Sequence, residues 1–230
     1  MRLNDYADSI KKWIDVAQTT NGKILILENS GNMELLKERL RPFVNEHIYF
    51  FENSVDVTSD KEGISGGEFA MLREALPTIL NIPGIEYCWK VTGRLFVENY
   101  KQISRVRMNQ VNVNRFYKPF HVLDSRFIGF PKDIFYEIFS QEPEFRTKKN
   151  NQHIGINMAN FSSLEEYLTI GLTNLECVGL QVVSMRKIPI FSGSSASTNK
   201  KLHSKTLFLK LKFLNSIRPI AVKLMGGSSP

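Results

Sequence analysis

The feature that most restricts the fold of this chain is the alternation of short apolar runs with amphipathic segments in its first 100 residues. The apolar runs at 23–28, 47–51 and 85–91 have the length of buried strands. The segments 33–40 and 69–80 between them have the apolar spacing of helices. Strands that alternate with helices are typical of βαβ units, so the sequence predicts an α/β domain with a mostly parallel sheet and flanking helices.

Further elements are predicted on both sides of this alternation. They are helices at 5–18, 132–139 and 164–172 and strands at 111–116, 126–130 and 178–185. Two serine–glutamate pairs, Ser65 with Glu68 and Ser162 with Glu165, have the spacing of capping boxes. We therefore expect a helix to begin at each pair.

The positive charge of the chain is concentrated near its C-terminal end. The chain has 30 Lys and Arg against 23 Asp and Glu, a net charge of +7, yet nine cations and no acidic residue follow Glu176. Serine dominates 192–199, which is typical of a flexible linker. The sequence therefore predicts a domain at 1–190, then a linker and basic segment at 191–230 with an anionic partner. Charge alone does not distinguish phospholipid from nucleic acid.

The cysteines and the N-terminal residues bear on the compartment. Cys88 and Cys177 stand in apolar contexts, as buried thiols do in a reducing compartment. The first residues lack the apolar core of a signal peptide, and no window approaches the about 20 apolar residues of a membrane span. We expect a cytoplasmic protein that does not cross a membrane.

Candidate ligand-binding residues follow the predicted strands, because ligands of parallel α/β sheets bind beyond the carboxyl ends of the strands. Glu28 and Asn29 follow the first strand, and the glycine-rich segment 61–68 opens a predicted helix. Glycines and helix-start N–H groups suit a diphosphate. The candidates in this segment are Lys61, Gly63, Gly66, Gly67 and Glu68. The alternative is a loop with a capping box only, and the Gly-Lys-Ser/Thr of a P-loop is missing.

A second candidate segment ends the third predicted strand. Lys90 and Arg94 can neutralise phosphate charge, and Thr92, which precedes Gly93, can donate a hydrogen bond to a phosphate oxygen. The alternative is a strand that ends in a glycine turn with solvated cations, and the spacing alone favours that alternative.

Carboxylates supply the candidates for catalysis. Asp124 can bind a metal ion, a sugar hydroxyl or Arg126, and an ion pair with Arg126 is the most common of these cases. Glu165 or Glu166 can act as general base on an acceptor hydroxyl, the alternative being a helix cap and a solvated side chain. No Asp-x-Asp occurs to hold a divalent ion against a diphosphate. A metal-independent mechanism is therefore favoured, and a divalent metal ion is the alternative.

Four segments together resemble a group of small bacterial glycosyltransferases from lipopolysaccharide and capsule gene clusters. They are the turn after the first strand at 24–31, the glycine-rich segment 61–68, Trp89 to Arg94, and Asp124 to Phe127. The last three are similar to the family's Lys-Gly-x-Gly-Glu, Lys-x-Thr-Gly-Arg-Tyr and Asp-Thr-Arg-Phe-Phe. This chain departs from the family in having Leu95 after the arginine, Ser125 in the third motif, and a longer glycine segment. The resemblance covers roughly 23–175.

The resemblance implies a Rossmann-like fold of the GT-A type and a hexosyl- or related sugar transferase. On this basis Gly63 to Glu68 and Thr92 to Arg94 face a nucleotide-sugar donor, with Asp124 and Arg126 near the sugar or the acceptor. The acceptor implied is a lipid-linked glycan, so the basic segment is expected to hold the enzyme at the anionic inner face of the cytoplasmic membrane.

Two other functional classes are compatible with the sequence. A nucleic-acid-binding protein would use the basic segment on phosphates. However, the positive charge is confined to that segment and no known binding motif is present, so a nucleic-acid partner is not expected. A non-catalytic subunit of a polysaccharide assembly complex would lack donor turnover.

Overall fold

The computed structural model of the chain describes residues 2–28, 31–53, 63–114, 123–141, 144–145, 160–161, 164–177, 179–185 and 187–193. Within these residues the chain is α/β, as predicted. The helices are α1 (Arg2–Thr20), α2 (Met33–Leu40), α3 (Gly63–Glu74), α4 (Leu76–Asn81), α5 (Tyr100–Ile103), α6 (Lys132–Phe139) and α7 (Leu164–Cys177), with a 3₁₀ turn at Arg41–Phe43. The strands are β1 (Ile24–Glu28), β2 (Ile48–Glu52), β3 (Tyr87–Val91), β4 (Leu95–Val97), β5 (Val111–Val113), β6 (Phe127–Pro131), β7 (Glu144–Phe145), β8 (Asn160–Phe161), β9 (Val182–Ser184) and β10 (Phe191–Gly193).

The sheets are mixed, so the prediction of a mostly parallel sheet is corrected. Strands β1 and β2 pair in parallel, whereas the four-stranded sheet has the order β3-β6-β5-β9 with β6 antiparallel to both neighbours. The β/α alternation that favours parallel pairing stops after the first 100 residues. Antiparallel neighbours need no helical crossover, so β6 can pair with β5 and β3 without one.

Helix α1 packs on β1 and α2 through one apolar face. Ala7, Ile10, Ile14 and Ala17 are buried at helical spacing, and the first three belong to a cluster that includes Ile26 of β1. The helix is longer than predicted and ends before Asn21, which has a positive φ of 51°. It therefore carries the residues near its N-terminus to the end of the sheet.

The main core lies between the four-stranded sheet and helices α3, α4, α6 and α7. Phe130 on β6, Phe139 on α6 and Leu168 on α7 have no exposed surface. Burying a large apolar side chain contributes about 1.5–3 kcal/mol to folding. Leu25 and Leu27 of β1 pack against the same core, so β1 lies beside it although β1 does not pair with the four-stranded sheet.

The predicted helix at 69–80 is two helices, α3 and α4, separated at Ala75. Pro77 lies at the start of α4, where a missing N–H is tolerated, and the proline ring disfavours continuation of the helix before it. Helix α3 begins at Gly63, so Ser65 and Glu68 lie inside it and the first predicted capping box is wrong. Ser162 of the second predicted box lies outside the described residues.

Several elements were not predicted from the sequence: β4, α5, β10, the short pair β7 and β8, and the 3₁₀ turn. Strands β4 and β10 pair antiparallel, with Phe191 opposite Val97. The Asn99 side chain links the residue stretch after β4 to the stretch before β10. Its Nδ2 donates to the Ile188 carbonyl and its Oδ1 accepts from the Ile190 N–H. Strand β10 therefore occupies the first three residues of the segment predicted as a linker, and the basic residues after 193 lie outside the described residues. None of the described helices is long and apolar enough to cross a bilayer.

Candidate functional site

A cleft separates β1 from β3. Strand β1 pairs only with β2 and β3 only with β6 among the described strands, so one edge of each strand faces the cleft. After β1 the chain forms β2 on one side of β1. It then crosses back and forms β3 on the other side of β1, across the cleft. This reversal is a topological switch point, the place where open α/β sheets bind ligands.

The cleft holds a cavity of about 360 Å³, within the range of about 300–1,000 Å³ typical of small-molecule sites. Its walls are consecutive residues of the two strands, at 24–27 and 87–91, with Ile10 and Trp13 of α1 and Ile79 of α4. Most of this lining is apolar. Of its three charged residues, Lys23 lies before β1, whereas Glu68 and Lys90 lie together toward the carboxyl end of β3.

Both carboxyl strand ends lie at the same end of the cavity. The Tyr6 hydroxyl lies 2.6 Å from the position that a Cβ of Gly93 would occupy, just after β3. Charges on Arg94, Glu28 and Glu68 all act on the same Tyr6 phenol, and Glu28 is the last residue of β1. The side chains of Tyr6, Glu68 and Lys90 and the backbone of Gly93 form the polar end of the cavity.

Lys90 is the centre of a saturated hydrogen-bond network at this end. Its Nζ lies 2.6 Å from Glu68 Oε1 and donates to Thr92 Oγ1 at 3.0 Å and to the Ser125 carbonyl at 2.5 Å. The Thr92 hydroxyl in turn donates to Glu68 Oε1 at 3.3 Å. All three N–H donors of the ammonium group are used. Lys90 therefore holds Glu68 and β6 in place, and its charge is already compensated.

The network continues to the predicted general bases. The Ser125 hydroxyl donates to Glu165 Oε1 on the first turn of α7. The capping box predicted for Glu165 involves Ser162, which lies outside the described residues. Glu166, the next residue of α7, is exposed.

Asp124 and Arg126 form a closed pair. The Arg126 guanidinium donates to both oxygens of Asp124, at 2.7 and 2.8 Å, and the Arg126 N–H and Asn114 Nδ2 also donate to them. Asp124 is buried, and its hydrogen bonds to Arg126 raise the pKa of the guanidinium above its ordinary value. The pair matches the simple ion-pair interpretation, with every favourable acceptor direction of the carboxylate occupied.

Arg94 is the exception to this saturation. Its residue surface is only 9% exposed, and its Nη1 is buried without a hydrogen-bond partner in the described residues. Its backbone carbonyl accepts from Ser9 Oγ of α1 at 2.7 Å, which fixes the turn after Gly93. A buried guanidinium without a partner is well suited to bind an anion.

Of the remaining predicted site residues, some lie within the described part of the chain and two lie outside it. Gly63, Gly66 and Gly67 lie in the first turns of α3, whereas Asn29 and Lys61 lie outside the described residues. Glu28 accepts the Asn32 N–H at 3.1 Å. In the described part of the chain, no three His, Cys, Asp or Glu side chains are grouped as possible metal ligands.

Tyr6 is the site residue that the sequence did not reveal. It lies in a helix with ordinary amphipathic spacing, and nothing around it marks it as different from a core-facing aromatic residue. Burial raises the pKa of its phenol, with Arg94 acting in the opposite direction. Only the contacts of α1 with the turn after β3 bring it to the cavity.

Cys88 offers a chemical probe of the cavity interior. It lines the cavity, and burial raises the pKa of its thiol from 9.0 to about 11. Because the thiolate is the nucleophile, alkylation by iodoacetamide at pH 8 is expected to be about a hundredfold slower in the native protein than in the unfolded chain. Mass spectrometry of a Cys177→Ser variant measures this. Equal rates in the two states would contradict burial of the thiol.

The same pKa shift sets the direction of a pH effect on stability. The unfolded thiol ionises near its ordinary pKa while the native thiol stays neutral. The contribution of Cys88 is therefore complete below about pH 9 and is lost as the pH rises toward 11.

No protein-family model matches the chain. No curated protein matches it in sequence either. The arrangement of side chains around the cavity is therefore the basis for any statement about function.

Proposed function

We propose that the protein is a glycosyltransferase with a GT-A-like fold. It transfers a sugar from a nucleotide-sugar donor to a lipid-linked glycan in lipopolysaccharide or capsule biosynthesis. One observation carries the proposal: residues from four separate segments of the chain meet at the carboxyl ends of β1 and β3, beside a cavity of small-molecule size. These segments are the four that resemble the bacterial family.

The donor occupies the polar end of the cavity on this proposal. Gly93 leaves space for the Tyr6 phenol at this end of the cavity. The Arg94 guanidinium compensates the charge of the diphosphate as the nucleotide leaves. Lys90 and Glu68 hold the turn after β3 in position. The apolar walls exclude water from the sugar–phosphate bond, which strengthens each electrostatic contact there.

Glu165 is the proposed general base. Ser125 places the carboxylate of Glu165 next to the network that ends at Lys90. From that position the carboxylate accepts the proton of an acceptor hydroxyl as the hydroxyl oxygen bonds to the sugar and the nucleoside diphosphate leaves. Arg94 in place of a divalent ion fits the missing Asp-x-Asp. The basic residues after 193 hold the enzyme on the anionic cytoplasmic surface that presents the acceptor.

Two adjacent carboxylates give a matched test. Glu165→Gln is expected to lower sugar transfer to a lipid-linked acceptor in anionic vesicles by about 10²–10⁴-fold, the usual contribution of a general base. Donor binding, measured as a rise in melting temperature, is expected to stay unchanged because the base does not contact the donor phosphates. The measurement is transfer of radiolabelled sugar from a panel of nucleotide sugars.

Glu166→Gln is the control, since the exposed Glu166 carboxylate lies one residue away in the chain. It is expected to retain wild-type transfer. No stabilisation by any nucleotide sugar in the wild-type protein would overturn the proposal, and equal transfer by both variants would overturn the role of Glu165.

A further inference from the structure

Two hydrogen-bond donors lie close together at the turn after β3, where Tyr6 lines the polar end of the cavity and Arg94 follows the lining residue Gly93. One is the Arg94 guanidinium, nine-tenths buried, whose Nη1 has no acceptor in the described residues. The other is the Tyr6 hydroxyl, for which the described part of the chain provides no hydrogen bond. Arg94 is close enough to the phenol to act against the rise in its pKa.

The neighbouring charges do not satisfy this pair. Glu68 is compensated by Lys90 at 2.6 Å, and Asp124 by Arg126 at 2.7 Å. Glu28 accepts the Asn32 N–H at the start of α2. Arg94 is thus the one charge of this group for which the described residues supply no ion pair or hydrogen bond. Burial of an unpaired donor is unfavourable, so a ligand oxygen that accepts from it is favoured.

We propose that Tyr6 and Arg94 form a two-donor receptor for the anionic oxygens of a phosphoryl group. The guanidinium supplies a planar fork that matches two phosphoryl oxygens, and the phenol, which lies against Gly93, supplies a third donor. Helix α1 thereby becomes part of the ligand site. The receptor deepens the proposed function, because it names the part of the donor that is recognised, but its chemistry holds for any phosphorylated ligand.

The backbone between the two donors supports this assignment. The Tyr6 oxygen lies 2.6 Å from where a Cβ of Gly93 would be, so any side chain at position 93 would displace the phenol. Ser9 Oγ and Trp13 Nε1 of α1 donate to the Arg94 and Leu95 carbonyls, at 2.7 and 2.9 Å. These bonds hold the phenol and the guanidinium in fixed relation before any ligand arrives. The phenol is protonated at neutral pH and can donate, and burial raises its pKa further.

The test uses inorganic pyrophosphate as the probe, with binding to the full chain measured by isothermal titration calorimetry. Tyr6→Phe is expected to weaken pyrophosphate binding about tenfold, as the loss of one hydrogen bond to a charged group does. Arg94→Met is expected to weaken it more than about thirtyfold. Tyr100→Phe is the matched control: Tyr100 lines the apolar part of the cavity, and its variant is expected to bind pyrophosphate normally.

Melting temperature separates a receptor from a structural contact. Neither donor has a hydrogen-bond partner among the described residues, so Tyr6→Phe is expected to leave the melting temperature unchanged and Arg94→Met to raise it. A lowered melting temperature in Arg94→Met would assign the guanidinium to an internal partner such as Glu28 and overturn the receptor. Unchanged pyrophosphate affinity in both variants would also overturn it.

The same measurements distinguish failure of the receptor from failure of the transferase proposal. If pyrophosphate binding depends on Tyr6 and Arg94 while no nucleotide sugar binds, the receptor stands and the transferase proposal fails. If nucleotide sugars bind the wild-type protein and both variants with equal affinity, the receptor fails and the transferase proposal stands. Titration with phosphatidic acid vesicles and with free nucleoside diphosphate identifies whether the phosphoryl group comes from a lipid or a nucleotide.

Discussion

Replacing Glu68 with glutamine is expected to lower the free energy of unfolding by about 3 kcal/mol, the lower part of the range for breaking a buried ion pair. The reason is the burial of its partner: the Lys90 side chain is 3% exposed and the Glu68 side chain 24%. Glutamine still accepts a hydrogen bond, but it leaves the ammonium charge uncompensated in a low-dielectric environment. Urea unfolding monitored by circular dichroism measures the change.

The combined change of Lys90→Met and Glu68→Leu is expected to recover most of this loss, because apolar side chains of similar volume often replace buried ion pairs without a penalty. Glu98→Gln is the control. Its partner Lys12 lies 3.1 Å away, but the two side chains are 36% and 49% exposed, so the expected loss is below about 1 kcal/mol. A loss below about 1 kcal/mol for Glu68→Gln as well would show that Lys90 is solvated.

Single helices and strands could be predicted from the sequence, because their apolar spacing and end signals lie within a few consecutive residues. Helices α2 and α6 have the predicted bounds, since their apolar spacing and flanking residues mark both ends. Antiparallel pairing of β6 could not be predicted, because it depends on which strands meet after the alternation ends. Strand β10 has a composition typical of a linker, and its partner β4 lies about 95 residues earlier in the chain.

The candidate site was predictable in location but not in its internal contacts. The strand-end rule placed Glu68, Lys90, Thr92 and Gly93 together, and the structure brings them together. Which of them remain available to a ligand depends on three-dimensional contacts. Lys90 has a phosphate-binding chemistry by residue type, yet its three donors are occupied. Tyr6 carries no sequence signal, because its place is set by contacts of α1 with residues more than 80 positions away.

Asp124→Asn is expected to lower the free energy of unfolding by about 3 kcal/mol, since one partner of a largely buried, hydrogen-bonded ion pair is removed. The carboxylate accepts from Arg126 Nε, Arg126 Nη2, the Arg126 N–H and Asn114 Nδ2. An asparagine amide turns one acceptor into a donor that faces another donor, which leaves a buried N–H unpaired. Urea unfolding again gives the magnitude.

The pattern of effects distinguishes a structural Asp124 from a catalytic one. Below its unfolding transition, Asp124→Asn is expected to retain sugar transfer within about tenfold of the wild-type protein, because the buried Asp124 carboxylate is enclosed by its hydrogen-bond partners. Glu165→Gln is the converse control: glutamine can still accept from Ser125, so its unfolding free energy is expected to change by less than about 1 kcal/mol while transfer is lost. If Asp124→Asn instead keeps full stability and loses transfer, the ion pair with Arg126 opens during the reaction and Asp124 takes the role of the base.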